Sequence, residues 1–85
     1  MKIGQLIRER RKALGMSQAE LAKLVGSRPN WISMIESGSA KFPKAKWKVF
    51  ADALRIDPTA LLNLILKQDI PEFDQYVLIR FEDDE

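Results

Sequence analysis

The sequence has 85 residues, contains neither cysteine nor histidine, and carries a net charge of +2. This length allows one domain with a modest core, and the composition excludes the commonest zinc sites, a thiol nucleophile and a histidine-based triad. The basic N-terminus has no apolar signal segment, and no apolar run approaches the length of a membrane span. We therefore expect a cytoplasmic protein without metal, cofactor or membrane partner. Because no acid–base pair or phosphate loop can be assembled, we expect no enzyme activity.

The charge is divided unevenly along the chain. Residues 1–48 hold eleven Lys/Arg and three Asp/Glu, a net charge of +8, whereas residues 49–85 hold three and nine, a net charge of −6. A basic region of this kind is typical of a phosphate-binding surface. The alternative interpretation is a solvated charged face, which is common by itself.

Three helices are predicted in the basic half. The first ends near Gly15 and has an apolar face of Ile3, Leu6, Ile7 and Leu14. The second begins at a capping box of Ser17 and Glu20, has an apolar face of Leu21, Leu24 and Val25, and ends at Gly26, a residue that accepts positive φ. Pro29 suits the first turn of a third helix. The pattern predicts helix, tight turn, helix.

Five residues of this region stand at the spacing of the phage Cro/repressor-type (Xre-type) helix-turn-helix family: Gln18, Ala22, Gly26, Ile32 and Ile35. Residues 3 to about 65 resemble the five-helix domain of that family. The resemblance implies an all-α fold that binds double-stranded DNA and regulates transcription. The alternative is a generic helical bundle in which the glycine only ends a helix.

The resemblance also assigns roles to individual residues. It implies that the helix from Pro29 reads the major groove, with Asn30 able to bond adenine and Gln18 able to reach a phosphate. It pairs Arg11 with Glu36, which would fix the angle between the first and third helices; the alternative is that both are exposed. The full set of expected DNA-binding residues is Gln18, Arg28, Pro29, Asn30, Ser33, Met34, Ser37, Lys41 and Lys44.

Two positions depart from many relatives. Pro29 stands where a polar residue often reads a base, and proline has no group to donate. Arg28 occupies the expected cap position of the third helix, so Ser27 is a candidate cap instead. The interpretation of Trp31 is divided between covering the edge of the core and stacking on the DNA backbone, and packing is favoured.

Two further helices are predicted in the second half. Pro43 is expected to open the fourth, in which Trp47, Phe50, Ala51 and Leu54 recur at helical spacing. Asp57 and Pro58 start the fifth as cap and first residue. Its apolar residues are Leu61, Leu62, Ile65 and Leu66; three could fill the core, and the surplus apolar surface suggests a partner subunit.

The remaining residues are predicted to form an extension. We expect a helix-turn-helix domain over residues 1–68 and a C-terminal extension over 69–85, with a short β-strand at about 75–81 and an acidic tail. The strand is expected to build a homodimer, and the dimerisation residues are Leu62, Leu66, Tyr76, Val77, Leu78, Ile79 and Phe81. The sequence therefore predicts a sequence-specific, dimeric repressor. The alternative is an antitoxin, which would bind a toxin protein and repress its own operon.

Overall fold

A computed structural model describes residues 2–69, and this part of the chain forms five α-helices. They are α1 (Ile3–Ala13), α2 (Gln18–Val25), α3 (Pro29–Ser37), α4 (Trp47–Leu54) and α5 (Pro58–Asp69). A 3₁₀ turn (Lys44–Lys46) precedes α4. The all-helical, five-helix prediction is confirmed for these residues. The predicted strand at 75–81 and the acidic tail lie outside the described residues.

Local cap signals place two helix starts as predicted. The Ser17 side-chain oxygen accepts a hydrogen bond from the Glu20 backbone N–H at 3.0 Å, and the Glu20 carboxylate accepts one from the Ser17 N–H at 3.0 Å. Hydrogen bonding to the Glu20 carboxylate, first from the Ser17 backbone N–H and then from the Ser17 side chain, lowers the pKa of Glu20 below its usual value, because it favours the ionised form. At α5, an Asp57 carboxylate oxygen accepts from the backbone N–H of Ala60 at 3.0 Å.

Two expectations about helix starts are wrong. Pro43 does not open α4, because its ψ of 99° is extended; the Lys46 N–H donates to its carbonyl at 2.9 Å, and α4 begins only at Trp47. Ser27 does not cap α3 either. The residue at the cap position is Arg28, and no side chain in the described chain bonds the first turn of α3.

All five helices contribute to one core. Its twelve buried apolar residues are Ile3, Ile7, Leu21, Ala22, Val25, Ile32, Ile35, Phe50, Ala51, Leu54, Leu61 and Ile65. Leu24 was expected here but is 56% exposed. It lies about 100° around α2 from the centre of the buried face, beyond the edge of the apolar stripe. On α5, Leu62 and Leu66 are only half-buried.

A glycine sets the closest approach between α1 and α3. Gly4 is buried, and a Cβ atom added to it would lie 2.4 Å from the carbonyl oxygen of Ile35 and 2.9 Å from that of Glu36. Because no real Cβ approaches backbone atoms so closely, α1 can pack at this distance only with glycine at position 4.

An arginine of α1 completes the end of α4. The Arg10 guanidinium donates to the carbonyl oxygen of Leu54 from Nε at 3.2 Å and from Nη2 at 3.1 Å. The next residue, Arg55, has a left-handed φ of 54°, the single non-glycine residue with positive φ in the described chain. Arg10 therefore satisfies a carbonyl that α4 leaves without an intrahelical partner.

Candidate nucleic-acid interface

The second and third helices pack against each other across a three-residue turn. Gly26 ends α2 with φ 69°, and its left-handed backbone reverses the chain direction without a steric penalty. The Ser27 N–H donates to the Ala22 carbonyl at 2.8 Å, which closes the turn. This geometry directs α3 across α2 and leaves one side of α3 uncovered.

The inner and outer faces of α3 differ in composition. Ile32 and Ile35 are buried against the core, at 0% and 2% exposure. The outward face presents side chains that are all exposed: Pro29, Asn30, Ser33, Met34 and Ser37. The structure thus brings the five expected α3 residues together on one accessible helical face of the size that a DNA major groove admits.

A buried ion pair holds α3 against α1. Arg11 donates from Nε to Glu36 Oε2 at 2.7 Å and from Nη2 to Glu36 Oε1 at 3.0 Å. Its Nη1 donates to the carbonyl of Met16 at 2.9 Å. The two side chains are 9% and 4% exposed. The hydrogen bond to Glu36 raises the pKa of Arg11, an effect that burial opposes, so the guanidinium stays charged throughout the useful pH range.

Gln18 joins the same network. Its Nε2 donates to Glu36 Oε1 at 3.2 Å, so the first residue of α2 is tied to the C-terminal turn of α3. Gln18 is half-exposed, and its second amide N–H points to no bonded acceptor among residues 2–69. The side chain can therefore brace α3 and still offer a donor at the surface.

Lys46 is a contributor that the sequence analysis missed. Its Nζ donates to the carbonyl oxygens of Val25 at 3.1 Å and Gly26 at 3.2 Å, and lies 5.7 Å from the ring centroid of Trp31. The lysine thus caps α2 and steadies the turn. Trp31 packs against the core, which is the interpretation that the sequence favoured. The two carbonyls needed a donor, but nothing in the sequence indicates that it lies about twenty residues away.

The remaining candidate cations behave differently from one another. Arg28 at the start of α3 and Lys41 in the loop after it are exposed. Lys44 is ion-paired with Asp69 at the end of α5, and the two side chains are 63% and 41% exposed.

Ser37 Oγ donates to the carbonyl of Met34 at 3.1 Å, which turns its hydroxyl toward its own helix.

Other kinds of site are not found in the described chain. Residues 2–69 hold no cluster of acidic side chains that could bind a metal ion. None of the helices described for the chain has both the length and the apolar character that a membrane crossing requires.

Two packed helices joined by a glycine turn, with the second exposing one polar face, define a helix-turn-helix protein. Residues 2–64 match a family model described as a helix-turn-helix domain. The chain is also similar to the crystal structure of the P22 c2 repressor in complex with synthetic operator 9T in the presence of Tl⁺. That match has a TM-score of 0.67 and 33% identity, and covers 75% of this chain and 97% of the other. No curated protein matches. The chain belongs to the helix-turn-helix family of the phage Cro/repressor type, a class of DNA-binding transcriptional regulators.

Proposed function

We propose that the protein is a sequence-specific repressor that binds its operator as a homodimer, with α3 in the major groove. The observation that carries this proposal is the network of Arg11, Glu36 and Gln18, which fixes α3 from behind while its outward face stays exposed. A rigidly held helix is what base reading needs, since its side chains must meet base edges within hydrogen-bond distance. The similarity to a repressor that binds an operator supports the same function.

The outward face of α3 offers few groups that can read bases. The Asn30 amide can bond the N6 and N7 atoms of adenine together, and Met34, 42% exposed, can contact a thymine methyl group. Ser33 can bond either a base or a phosphate. Pro29 offers apolar contact alone. We therefore expect a short recognition sequence in each half-site, centred on an adenine and a neighbouring thymine.

The surrounding residues hold the DNA backbone. Arg28 and Lys41 are exposed beside the two ends of α3, and their charges favour phosphate while carrying no sequence information. Gln18 adds a neutral donor at the start of α2. Lys44 is paired with Asp69, which offsets part of the charge that it would offer to a phosphate. Phosphate neutralisation releases counterions, and the bound protein represses by excluding polymerase from the same site.

A dimer would contact enough base pairs for useful affinity. One domain contacts a few base pairs, so two domains on half-sites about one DNA turn apart are needed for useful affinity. Leu62 and Leu66 on α5 leave apolar surface half-covered. We assign the remaining dimer contacts to residues on both faces of the predicted strand, namely Tyr76, Val77, Leu78, Ile79 and Phe81, and two-fold pairing of two such strands would satisfy both backbones.

Binding to the DNA upstream of the protein's own gene tests the function. Affinity should fall steeply with salt, with a slope of log K against log salt of about −0.9 for each phosphate that a Lys or Arg neutralises. Lys41→Ala should weaken binding to every sequence alike and flatten the slope by about 1 for each phosphate that is no longer neutralised. Lys41→Arg keeps the charge and is the matched control. Salt-independent binding, or none to that fragment, would contradict the proposal.

A further inference from the structure

A groove lies on the molecule beside the lysine-rich loop and away from the outward face of α3. It has a volume of about 420 Å³ and lies between the start of α1, the end of α3, the loop and the end of α5. Its apolar lining includes Ile3, Ile35, Phe42 and Ile65. This volume lies in the range of cavities that enclose small ligands, so it is large enough for an aromatic side chain.

The rim of the groove is basic. Lys2, Lys41 and Lys44 line it, together with one acidic residue, Asp69. Lys2 and Lys41 are exposed, whereas Lys44 is ion-paired with Asp69. This pair shows that a carboxylate at the end of α5 already reaches the loop. An occupant with an apolar residue between acidic ones would match both the lining and the rim.

The chain supplies such a segment where it leaves the groove. Residues 70–74 read Ile-Pro-Glu-Phe-Asp, so Phe73 stands between Glu72 and Asp74. Asp69 lines the groove itself, and Phe73 is four residues further, a span of at most about 14 Å. Pro71 disfavours a helical conformation in the residue before it, so the sequence favours a change of chain direction here.

We propose that residues 70–74 bind in the groove of their own chain, with Phe73 against the apolar lining and Glu72 and Asp74 beside the lysines. The segment then competes with DNA phosphates for Lys41 and Lys44, a consequence that rests on the proposed function. Dimerisation through the strand predicted at 75–81 stays compatible, because the predicted strand begins after the docked residues. The extension thus both joins two subunits and lowers the affinity of each for the DNA backbone.

Disulfide trapping tests the docking directly, because the chain has no natural cysteine. Ala40 lines the groove, so an Ala40→Cys/Gln75→Cys variant, which keeps all of residues 70–74, should form an intramolecular disulfide under mild oxidation; this requires the two Cα atoms to approach within about 7 Å. Ala19→Cys/Gln75→Cys is the matched control, since Ala19 is exposed on α2 and does not line the groove. Lys2→Cys/Gln75→Cys repeats the test from another part of the rim.

The oxidation products show whether the groove is filled by the segment of the same chain or by that of a second copy. An intramolecular disulfide in both groove pairs, formed well above the rate of the control, supports docking within one chain. Covalent dimers on a non-reducing gel would show that the segment of a second copy fills the groove, and would overturn the proposal. Cross-linking of both groove pairs no faster than the control would also overturn it.

The Ala40→Cys/Gln75→Cys variant then tests the competition. We expect its oxidised form to bind DNA about three- to tenfold more weakly than its reduced form, the range expected for two exposed charge pairs. Equal affinities in the two forms would overturn the competition. Failure of the reduced form and of the wild type to bind DNA would instead contradict the proposed function, and the trapping result would still report on docking.

Discussion

Arg11 and Glu36, 25 residues apart, form a two-bond ion pair that is almost entirely shielded from water. The pair spans α1 and α3, and Gln18 bonds the same carboxylate from α2. Three helices therefore converge on one side chain. A buried pair of this kind adds little net stability compared with an apolar replacement, but loss of one partner leaves a buried charge without its counterpart.

Loss of the carboxylate should therefore destabilise the fold. We expect Glu36→Ala to lower the free energy of unfolding by about 3–5 kcal/mol, because Arg11 would remain buried and charged. Urea denaturation followed by circular dichroism measures this change. Glu9→Ala is the control, because the bond that Gln5 donates to Glu9 is exposed, and it should stay within about 0.5 kcal/mol of the wild type. Equal stability of Glu36→Ala and the wild type would contradict the role of the pair.

Gly4→Ala tests the close approach of α1 and α3. Alanine favours a helix interior by about 1 kcal/mol over glycine, but the added Cβ would collide with the carbonyl of Ile35. We expect a net loss of about 2 kcal/mol or more in thermal or urea unfolding. Gly15→Ala is the matched comparison, since nothing lies within 4 Å of its added Cβ. It should lose only about 1 kcal/mol, from its left-handed backbone. The opposite order of the two losses would contradict this packing.

Asn30→Ala separates base reading from folding. Asn30 is exposed, so its removal should leave the unfolding midpoint almost unchanged. Under the proposed function the variant should lose about 1–3 kcal/mol of binding free energy at the operator and relax the preference at one base pair. Competition binding with a panel of single-base operator variants measures both effects. An equal loss of affinity for every operator variant would indicate that Asn30 contacts the DNA backbone instead of a base.

Two truncations test the assigned dimer contacts. Removal of residues 75–85 deletes the predicted strand but keeps residues 2–69 and the groove-binding segment. Sedimentation should then show a monomer, and circular dichroism should show the helix content of the wild type. Operator binding should weaken strongly, because the two half-sites are no longer linked. Removal of residues 82–85 alone is the control and should leave a dimer. If the protein without residues 75–85 remained a tight dimer, the interface would instead be formed by Leu62, Leu66 and the rest of α5.

The sequence predicted the features that depend on near neighbours. The bonds between Ser17 and Glu20 join residues three apart, and Gly26 is needed because the backbone there is left-handed. Residue types at fixed intervals reveal such features. The position of Leu24 was missed because its spacing fits an apolar stripe, whereas the width of the stripe is set by the helices that cover it.

Features built from distant residues could not be predicted in the same way. Lys46 reaches the end of α2, Arg10 reaches the end of α4, and Gly4 lies against the backbone of α3. Each depends on how two helices are placed in space, and no interval along the chain encodes that placement. At the candidate interface, the exposed residues of α3 followed from the resemblance to the family. The engagement of Lys44 by Asp69 did not.

The hydrogen bonds of Lys46 affect how an alanine scan of the basic residues should be interpreted. Lys46→Ala would free the carbonyls of Val25 and Gly26 and loosen the turn before α3, so DNA binding could fall although every side chain proposed to bind phosphate is still present. Arg10 and Arg11 have the same property, because both hold helices together. An affinity loss at these three positions reports on how α3 is held in place. A loss at Arg28 or Lys41 instead reports on the electrostatic attraction between the protein and the DNA phosphates. Each scanned variant therefore needs its melting curve beside its binding curve.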